Sequence, residues 1–303
     1  MPRPDTDPDL HFATPSARRH YRCLMALYRL AVNRYLYRLF ARQLGRFFPE
    51  DSAVSLTLPS GGVFPVSLND GYWTRFALFH TEYEPEVARI LDVCTGHADT
   101  FCDLGANKGY WTAYAAPLFQ TVISVEASSA TFRILAENTR AITNVTRRWA
   151  AVFSESNLEL TFRNVAGSHA SGHLSQDARP DEVAETVETV AVDDLLRAGT
   201  AAVIKLDVEG AEREAIAGAQ RAIADGSLIV YEDHGADSDC HSSAAMYDLG
   251  NVSVYFLGNT LQPMSNLTEV QAVKTDRFRG YNFLAARNDA PLLAQVRSGF
   301  AIS

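Results

Sequence analysis

The chain reads as a doubly wound α/β protein with a mostly parallel sheet and an N-terminal helical segment. Three observations predict this: apolar runs alternate with helix-length stretches from Thr100 onward, glycine-rich turns follow two of those runs, and acidic residues close several of them. At 303 residues, 47% of them apolar, the chain can bury a substantial core. No stretch offers the roughly 18 uninterrupted apolar residues of a membrane-spanning helix.

Residues 1–16, acidic and proline-rich, read as a disordered leader without the pattern of a secretory signal. Residues 17–98 hold a helix, a short hairpin and a lead-in helix. From Arg18 to Arg46 lie eight arginines and no Asp or Glu, while Leu24, Leu27, Leu30, Leu36 and Leu39 recur at helical spacing. The rest of the chain sets 19 basic residues against 36 acids, a balance of −17. Three roles compete for the basic helix over 17–48: packing on its own domain with a solvated face, peripheral attachment to a membrane or anionic partner, and a homodimer contact. Alternation on both sides of Pro59-Ser-Gly-Gly62 predicts the hairpin, and Tyr83–Ile90 leads into a helix that ends before residue 98.

The main domain spans 99–290, with 291–303 as a tail. Its strands are read at Phe101–Leu104, Val122–Glu126, Arg148–Phe153, Val203–Asp207, Leu228–Glu232, Val252–Leu257 and Asn282–Ala286, seven in all. Helices are read over Tyr110–Leu118, Ala130–Ala141 and Ala211–Ala224, and Leu158–Phe162 as an antiparallel ribbon. Residues 166–187 have no periodicity and read as a loop. Its Gly167–His173 segment is either a lid or a solvent loop.

In such a sheet a ligand sits beyond the carboxyl ends of the strands, where the strand order reverses. Asp103-Leu-Gly-Ala-Asn-Lys-Gly109 occupies that place. Gly105 permits a tight turn with no Cβ in a ligand's way. Glu126 ends the next strand 23 residues after Asp103, where a carboxylate can accept both hydroxyls of an adenosine ribose. The loop is not the G-x-G-x-x-G of a nicotinamide site. Asp103 would repel a pyrophosphate but suit a sulfonium and an amino group, so the cofactor selected is S-adenosylmethionine.

A second strand-to-helix turn, Ile204-Lys-Leu-Asp-Val-Glu-Gly-Ala-Glu212, brings Asp207 and Glu209 to the same rim, and Glu232-Asp-His-Gly235 adds Glu232 and His234. Complementing a helix N-terminus is the alternative role for Glu209 and Glu212. The four cysteines are scattered, so neither a structural zinc nor a disulfide framework is expected, and a reduced cytoplasmic setting fits. The net charge of −9 argues against broad nucleic-acid binding.

Over about residues 70–287 the sequence resembles the FkbM-type methyltransferases. The resemblance is carried by Asp103–Gly109, Glu126-Ala, Val192-Asp-Asp-Leu-Leu, Ile204–Glu212, Val230-Tyr-Glu and Tyr281-Asn-Phe-Leu. It implies a class I methyltransferase, Rossmann-like fold and O-methylation of a hydroxyl on a sugar or polyketide-like small molecule, a glycan acceptor included. It further implies Asp103, Gly105, Ala106, Asn107, Gly109, Glu126 and Ala127 as cofactor residues, with Asp207, Glu209 and Glu232 facing the donor methyl or the acceptor. Asp207 and His234 are the candidate bases for an alcohol nucleophile, Asp207 first because the motif places it at the rim, and Glu232 is the third catalytic candidate. No resident metal is expected, although Asp207 and Glu232 could hold a divalent cation. The acid following Glu232 departs from the pattern and leaves open which residue points into the site. A methyltransferase fold that only binds, acting through the basic helix, is the alternative to an enzyme.

Overall fold

The computed structural model describes residues 3–30, 47–49, 52–165, 173–174, 182–208 and 210–300. They form two compact units, Met1–Pro85 and Glu86–Ser303.

In the first unit, β1 (Leu10–Phe12), β2 (Ala53–Thr57) and β3 (Val63–Ser67) make an antiparallel sheet in the order β1-β2-β3. Residues 10–12, read in the sequence as part of a leader, pair with β2 from Leu10↔Leu56 to Phe12↔Val54. Alternation buries Val54 and Leu56, and the expected hairpin turns at Gly61, whose φ of +87° favours glycine. Helix α1 (Pro15–Leu30) buries Ala17, Tyr21, Leu24 and Met25 and exposes Arg18, Arg19 and Arg22. Arg22 pairs with Asp5 at 2.7 Å. Residues 31–46, which carry Arg34, Arg38, Arg42 and Arg46, lie outside the described residues. The short α2 (Thr74–Leu78) completes the unit. Tyr72 and Trp73 belong to an aromatic cluster with Phe76 and Tyr83.

The second unit opens with α3 (Pro85–Cys94) and continues β4 (Thr100–Leu104), α4 (Tyr110–Ala115), β5 (Thr121–Glu126), α5 (Ser129–Thr139) and β6 (Val145–Trp149). After a lateral sheet come α6 (Val192–Leu195), β11 (Val203–Leu206), α7 (Glu212–Ala217), α8 (Gln220–Ala224) and β12 (Leu228–His234). The chain closes with α9 (His241–Asp248), β13 (Val252–Leu257), β14 (Leu261–Met264), α10 (Leu267–Val273), β15 (Gly280–Arg287) and α11 (Pro291–Gly299). The main sheet runs β14-β13-β15-β12-β11-β4-β5-β6, with β12, β11, β4, β5 and β6 mutually parallel and β15 antiparallel to both of its neighbours.

The sheet has eight strands rather than seven, because β13 turns back from Leu257↔Leu261 into an edge strand. The helix read over 211–224 is two helices, α7 and α8. At the break, a Cβ on Gly218 would lie 2.3 Å from the Phe153 carbonyl. The tail 291–303 contributes α11, started by Pro291 and burying Leu292, Leu293 and Val296.

The lateral sheet, in the order β7-β10-β8-β9, comprises β7 (Ala151–Val152), β8 (Glu159–Val165), β9 (His173–Leu174) and β10 (Glu182–Val190). The loop expected over 166–187 is therefore a strand from residue 182. Seven cross-strand pairs with β8 hold it, a long-range gain that local periodicity does not show. Residues 166–172 lie outside the described residues.

The core packs around Phe101, Leu104, Val125, Ile204, Ile229 and Phe283, all fully buried. Strand β4 is the switch point: the chain continues to β5 on one side, and β11 lies on the other.

Candidate active site

Strand register decides which side chains meet. Asp103 stands opposite Ser124 on one side and Lys205 on the other, and Lys205 opposite Val230. Because side chains alternate, this row shares one face of the sheet. Two residues further on, the same face carries Glu126 at the end of β5, Asp207 just past β11 and Glu232 near the end of β12. Four of the predicted acids are thereby brought to one face.

The loop after β4 is shaped by contacts within the protein. The Gly105 and Ala106 N–H groups donate to the Val125 carbonyl at 3.0 and 2.9 Å, and the Asp207 N–H donates to Leu104 O at 2.9 Å. At Gly105 φ is +82°, and a Cβ there would lie 1.8 Å from the Asp207 carbonyl oxygen. The glycine thus makes room for the end of β11, where sequence reasoning had it making room for a ligand. Gly109, at φ +88°, caps α4, and its missing Cβ clears Leu135. Asn107 is also left-handed, at φ +50°.

That backbone path aims two N–H groups at Glu126. Asn107 N donates to Oε2 at 2.9 Å and Ser128 N to Oε1 at 2.8 Å, so each oxygen keeps lone-pair directions for a further donor. Burial pushes the Glu126 carboxyl up to about 7; the two N–H donors pull it down, and the charges of Asp103 and Asp207 push it further up.

Asp103 is only 1% exposed and accepts a hydrogen bond from Thr112 Oγ1 at 2.6 Å, with Ser124 Oγ at 2.8 Å from the same hydroxyl. Burial raises its pKa, while the Lys205 charge and Thr112 oppose the rise. Lys205, buried on β11, holds Asp207 Oδ2 at 2.7 Å. Sequence reasoning left Lys205 without a role. The signal was present: a lysine inside the apolar run Val203–Leu206 needs a carboxylate partner.

The strand end at β12 resolves the departure noted after Glu232. Asp233 turns to the opposite face, where its carboxylate meets Lys274 Nζ at 2.8 Å and accepts from Ser243 N and Oγ at 3.2 and 2.8 Å. Glu232 therefore keeps the site's face, with its carboxylate over Gly280, where a Cβ would lie 2.0 Å from Oε2. His234 is exposed at the tip, its Nδ1 accepting from Ala236 N at 3.1 Å.

The remaining expectations divide. Glu212 accepts from Gly210 N with both oxygens, at 3.1 and 3.0 Å, and so serves the start of α7. Burial raises its pKa. Glu209 lies outside the described residues. The Ala127 carbonyl accepts from Trp149 Nε1 at 2.8 Å, which sets a half-exposed indole beside Glu126, a residue the sequence did not single out. Tyr110 and Trp111 are buried in α4. Among the described residues, three metal-ligand side chains come together at Asp237, Asp239 and His241. That group is internally bonded at the start of α9, where Asp237 accepts from Asp239 N, His241 N and His241 Nδ1.

Asp103, Glu126 and Asp207 place three carboxylates together, with Lys205 paired to one of them. Such a donor set fits a ligand that carries vicinal hydroxyls at one end and positive charge at the other. Among the described residues no helix is long and apolar enough to cross a membrane.

Residues 103–250 match the methyltransferase FkbM domain family. No curated protein matches the chain. Among solved structures, the chain is similar to a methyltransferase FkbM from Methylobacillus flagellatus, with 16% identity over 62% of this chain and a TM-score of 0.37. The chain spans 43% of the length of that protein. An O-methyltransferase from Bacillus cereus, crystallised with S-adenosylhomocysteine, is similar at 15% identity over 69% of this chain and 83% of its own, with a TM-score of 0.38. An rRNA methylase from Streptococcus thermophilus is similar at 11% identity over 69% and 98%, with a TM-score of 0.39. The part of the chain that matches the methyltransferase FkbM domain holds the loop after β4, Glu126, Asp207 and Glu232.

Proposed function

We propose that this protein is an S-adenosylmethionine-dependent O-methyltransferase acting on a hydroxyl of a sugar or polyketide-like small molecule. The observation that carries the reading is the Glu126 carboxylate, aimed by Asn107 N and Ser128 N and set beside Asp103 and Asp207. Bound S-adenosylmethionine supplies an electrophilic methyl group on a sulfonium. Glu126 would hold the ribose hydroxyls, and Trp149 with Ala127 would flank the adenine. Asp103 and Asp207 would complement the positive end.

On the acceptor side, the chain must position a hydroxyl in line with the methyl group and take its proton. Asp207 already shares an oxygen with Lys205. His234 accepts an N–H at Nδ1, so its neutral ring carries the proton on Nε2 and presents a donor. Glu232 stands on the same face as Asp207 and at the rim, and it is the carboxylate we assign to the acceptor proton, with Asp207 orienting the hydroxyl. No step requires a divalent cation, because Lys205 already balances Asp207.

Titration calorimetry with S-adenosylmethionine tests the reading. Saturable 1:1 binding that Glu126→Ala weakens by at least about tenfold is expected, since two hydroxyl contacts to a carboxylate are lost. Absence of binding to the wild-type chain would remove it. A cytoplasmic setting, membrane attachment and dimerisation through 17–48 are separate proposals; the exposed Arg18 and Arg19 are what α1 offers to an anionic partner.

A further inference from the structure

The lateral sheet takes no part in the steps above, yet one of its strands runs past the turn that holds Glu126. Strand β10 lies parallel to β7, with Thr189 opposite Ala151 and Val190 opposite Val152. Just before that pairing, Glu188 meets Arg148 of β6 at 3.8 Å, so β10 passes the strand end where Trp149 stands.

The two-residue period of the strand decides what β10 turns toward the turn after β5. Val187 is buried in a small apolar cluster with Ala151 and Phe162, and Ala127 packs against that cluster. Glu185, two residues before Val187, stands directly opposite Phe162 on β8 and so shares this face. Its Oε1 accepts from Ser129 N at 3.0 Å. The face of β10 therefore tracks the turn Ala127-Ser128-Ser129, meeting it at Ala127 and again at Ser129. Between these contacts Ser128 N donates to Glu126 Oε1 at 2.8 Å. Successive N–H groups of one turn thus hold two carboxylates, and the two bonded oxygens are no more than about 10 Å apart. One adenosine bridges such a gap from its ribose hydroxyls to its 6-amino group. Glu185 is partly buried, and among the described residues its Oε2 takes no donor.

From this juxtaposition we propose that Glu185 recognises the base of the donor, its Oε2 accepting from the adenine 6-amino group while Glu126 holds the ribose. The inference rests on the S-adenosylmethionine reading of the site and adds the residue that makes it specific for adenine. An amino N–H donated to a carboxylate is a charge-assisted bond, stronger than one between neutral groups. A base without the amino group leaves a partly buried carboxylate oxygen unsatisfied.

The test uses two ligands that differ only in that group: methylthioadenosine and its 6-deamino analogue, methylthiopurine riboside, titrated into the full chain by calorimetry. We expect methylthioadenosine to bind at least about tenfold tighter. Glu185→Leu should bring the two to within about twofold. Glu185→Gln should do the same, because an amide that satisfies Ser129 N with its oxygen sets its own N–H against the amino group. A carboxylate that only caps the start of α5 would lower the thermal midpoint of both variants and leave the ratio of affinities as it was; that result overturns the assignment. No binding of either ligand to the wild-type chain sinks the donor reading and this one with it. Methylthioadenosine binding that Glu126→Ala weakens, with a base preference absent from the wild type or surviving both Glu185 substitutions, overturns the Glu185 assignment alone.

Discussion

The Glu126 carboxyl makes the donor site sensitive to pH in a way that can be calculated. In the free protein burial holds its pKa at about 7, and the ribose hydroxyls are to be accepted by the ionised form. Methylthioadenosine carries the adenine and ribose without the amino acid, so the ligand adds no titration of its own in this range. With a pKa near 7, the ionised fraction is about one in eleven at pH 6 and about ten in eleven at pH 8. Affinity for methylthioadenosine should rise about tenfold over that interval, about 1.4 kcal/mol, and then level off. Calorimetry in buffers of different ionisation enthalpy at pH 7 should show about half a proton released per ligand bound. Glu126→Gln should flatten the profile and lower the affinity at pH 8, because an amide N–H would confront the N–H of Asn107 or Ser128. An affinity that stays flat between pH 6 and pH 8 in the wild-type protein refutes the reasoning.

The same group sets a stability trend. Its folded pKa lies above the unfolded value of 4.5, so the folded chain keeps a proton the unfolded chain has released, and this contribution falls as pH rises from about 4.5 to about 7. Urea unfolding of the wild type against Glu126→Gln should shift by about 3 kcal/mol in favour of Gln across that window; no relative shift would contradict the burial argument. Lys274→Met should cost about 3–5 kcal/mol, because it strands Asp233 where both side chains have zero exposure. The thermal midpoint should drop by about 10 °C, with partial recovery in Lys274→Met/Asp233→Asn, and a drop under about 2 °C would show the pair to be dispensable. Gly105→Ala adds a left-handed alanine to a Cβ placed 1.8 Å from Asp207 O, a cost of about 2–5 kcal/mol with loss of methylthioadenosine binding; a variant with wild-type melting temperature and binding would refute it.

Local sequence marked the alternating elements, the turn after β4 and the acids at the strand ends, because those features follow from side-chain period and turn chemistry over a few residues. Six strands of the main sheet, the hairpin at Gly61 and the closing β13–β15 pair were legible in that way, whereas the strand read over Arg148–Phe153 straddles the end of β6 and β7 of the lateral sheet. Strand β10 was not: its stability comes from pairing with β8 across a long separation in sequence, and residues 182–187 carry little apolar periodicity. The strand β1 was missed for the same reason, since its partner β2 lies about forty residues on; β14 pairs locally with β13, but its Leu-Gln-Pro-Met carries no alternation to mark it.

At the site the chain by itself determined which acids stand at strand ends, and so which cofactor charge they suit. Only the tertiary structure decided how they are used. Register placed Asp103, Glu126, Asp207 and Glu232 on one face and sent Asp233 to the other. A side chain's partner depends on which strand lies alongside. That is why Lys205 on Asp207, Lys274 on Asp233 and the Asp207 carbonyl against Gly105 appear only once β11, β4 and β12 are brought together.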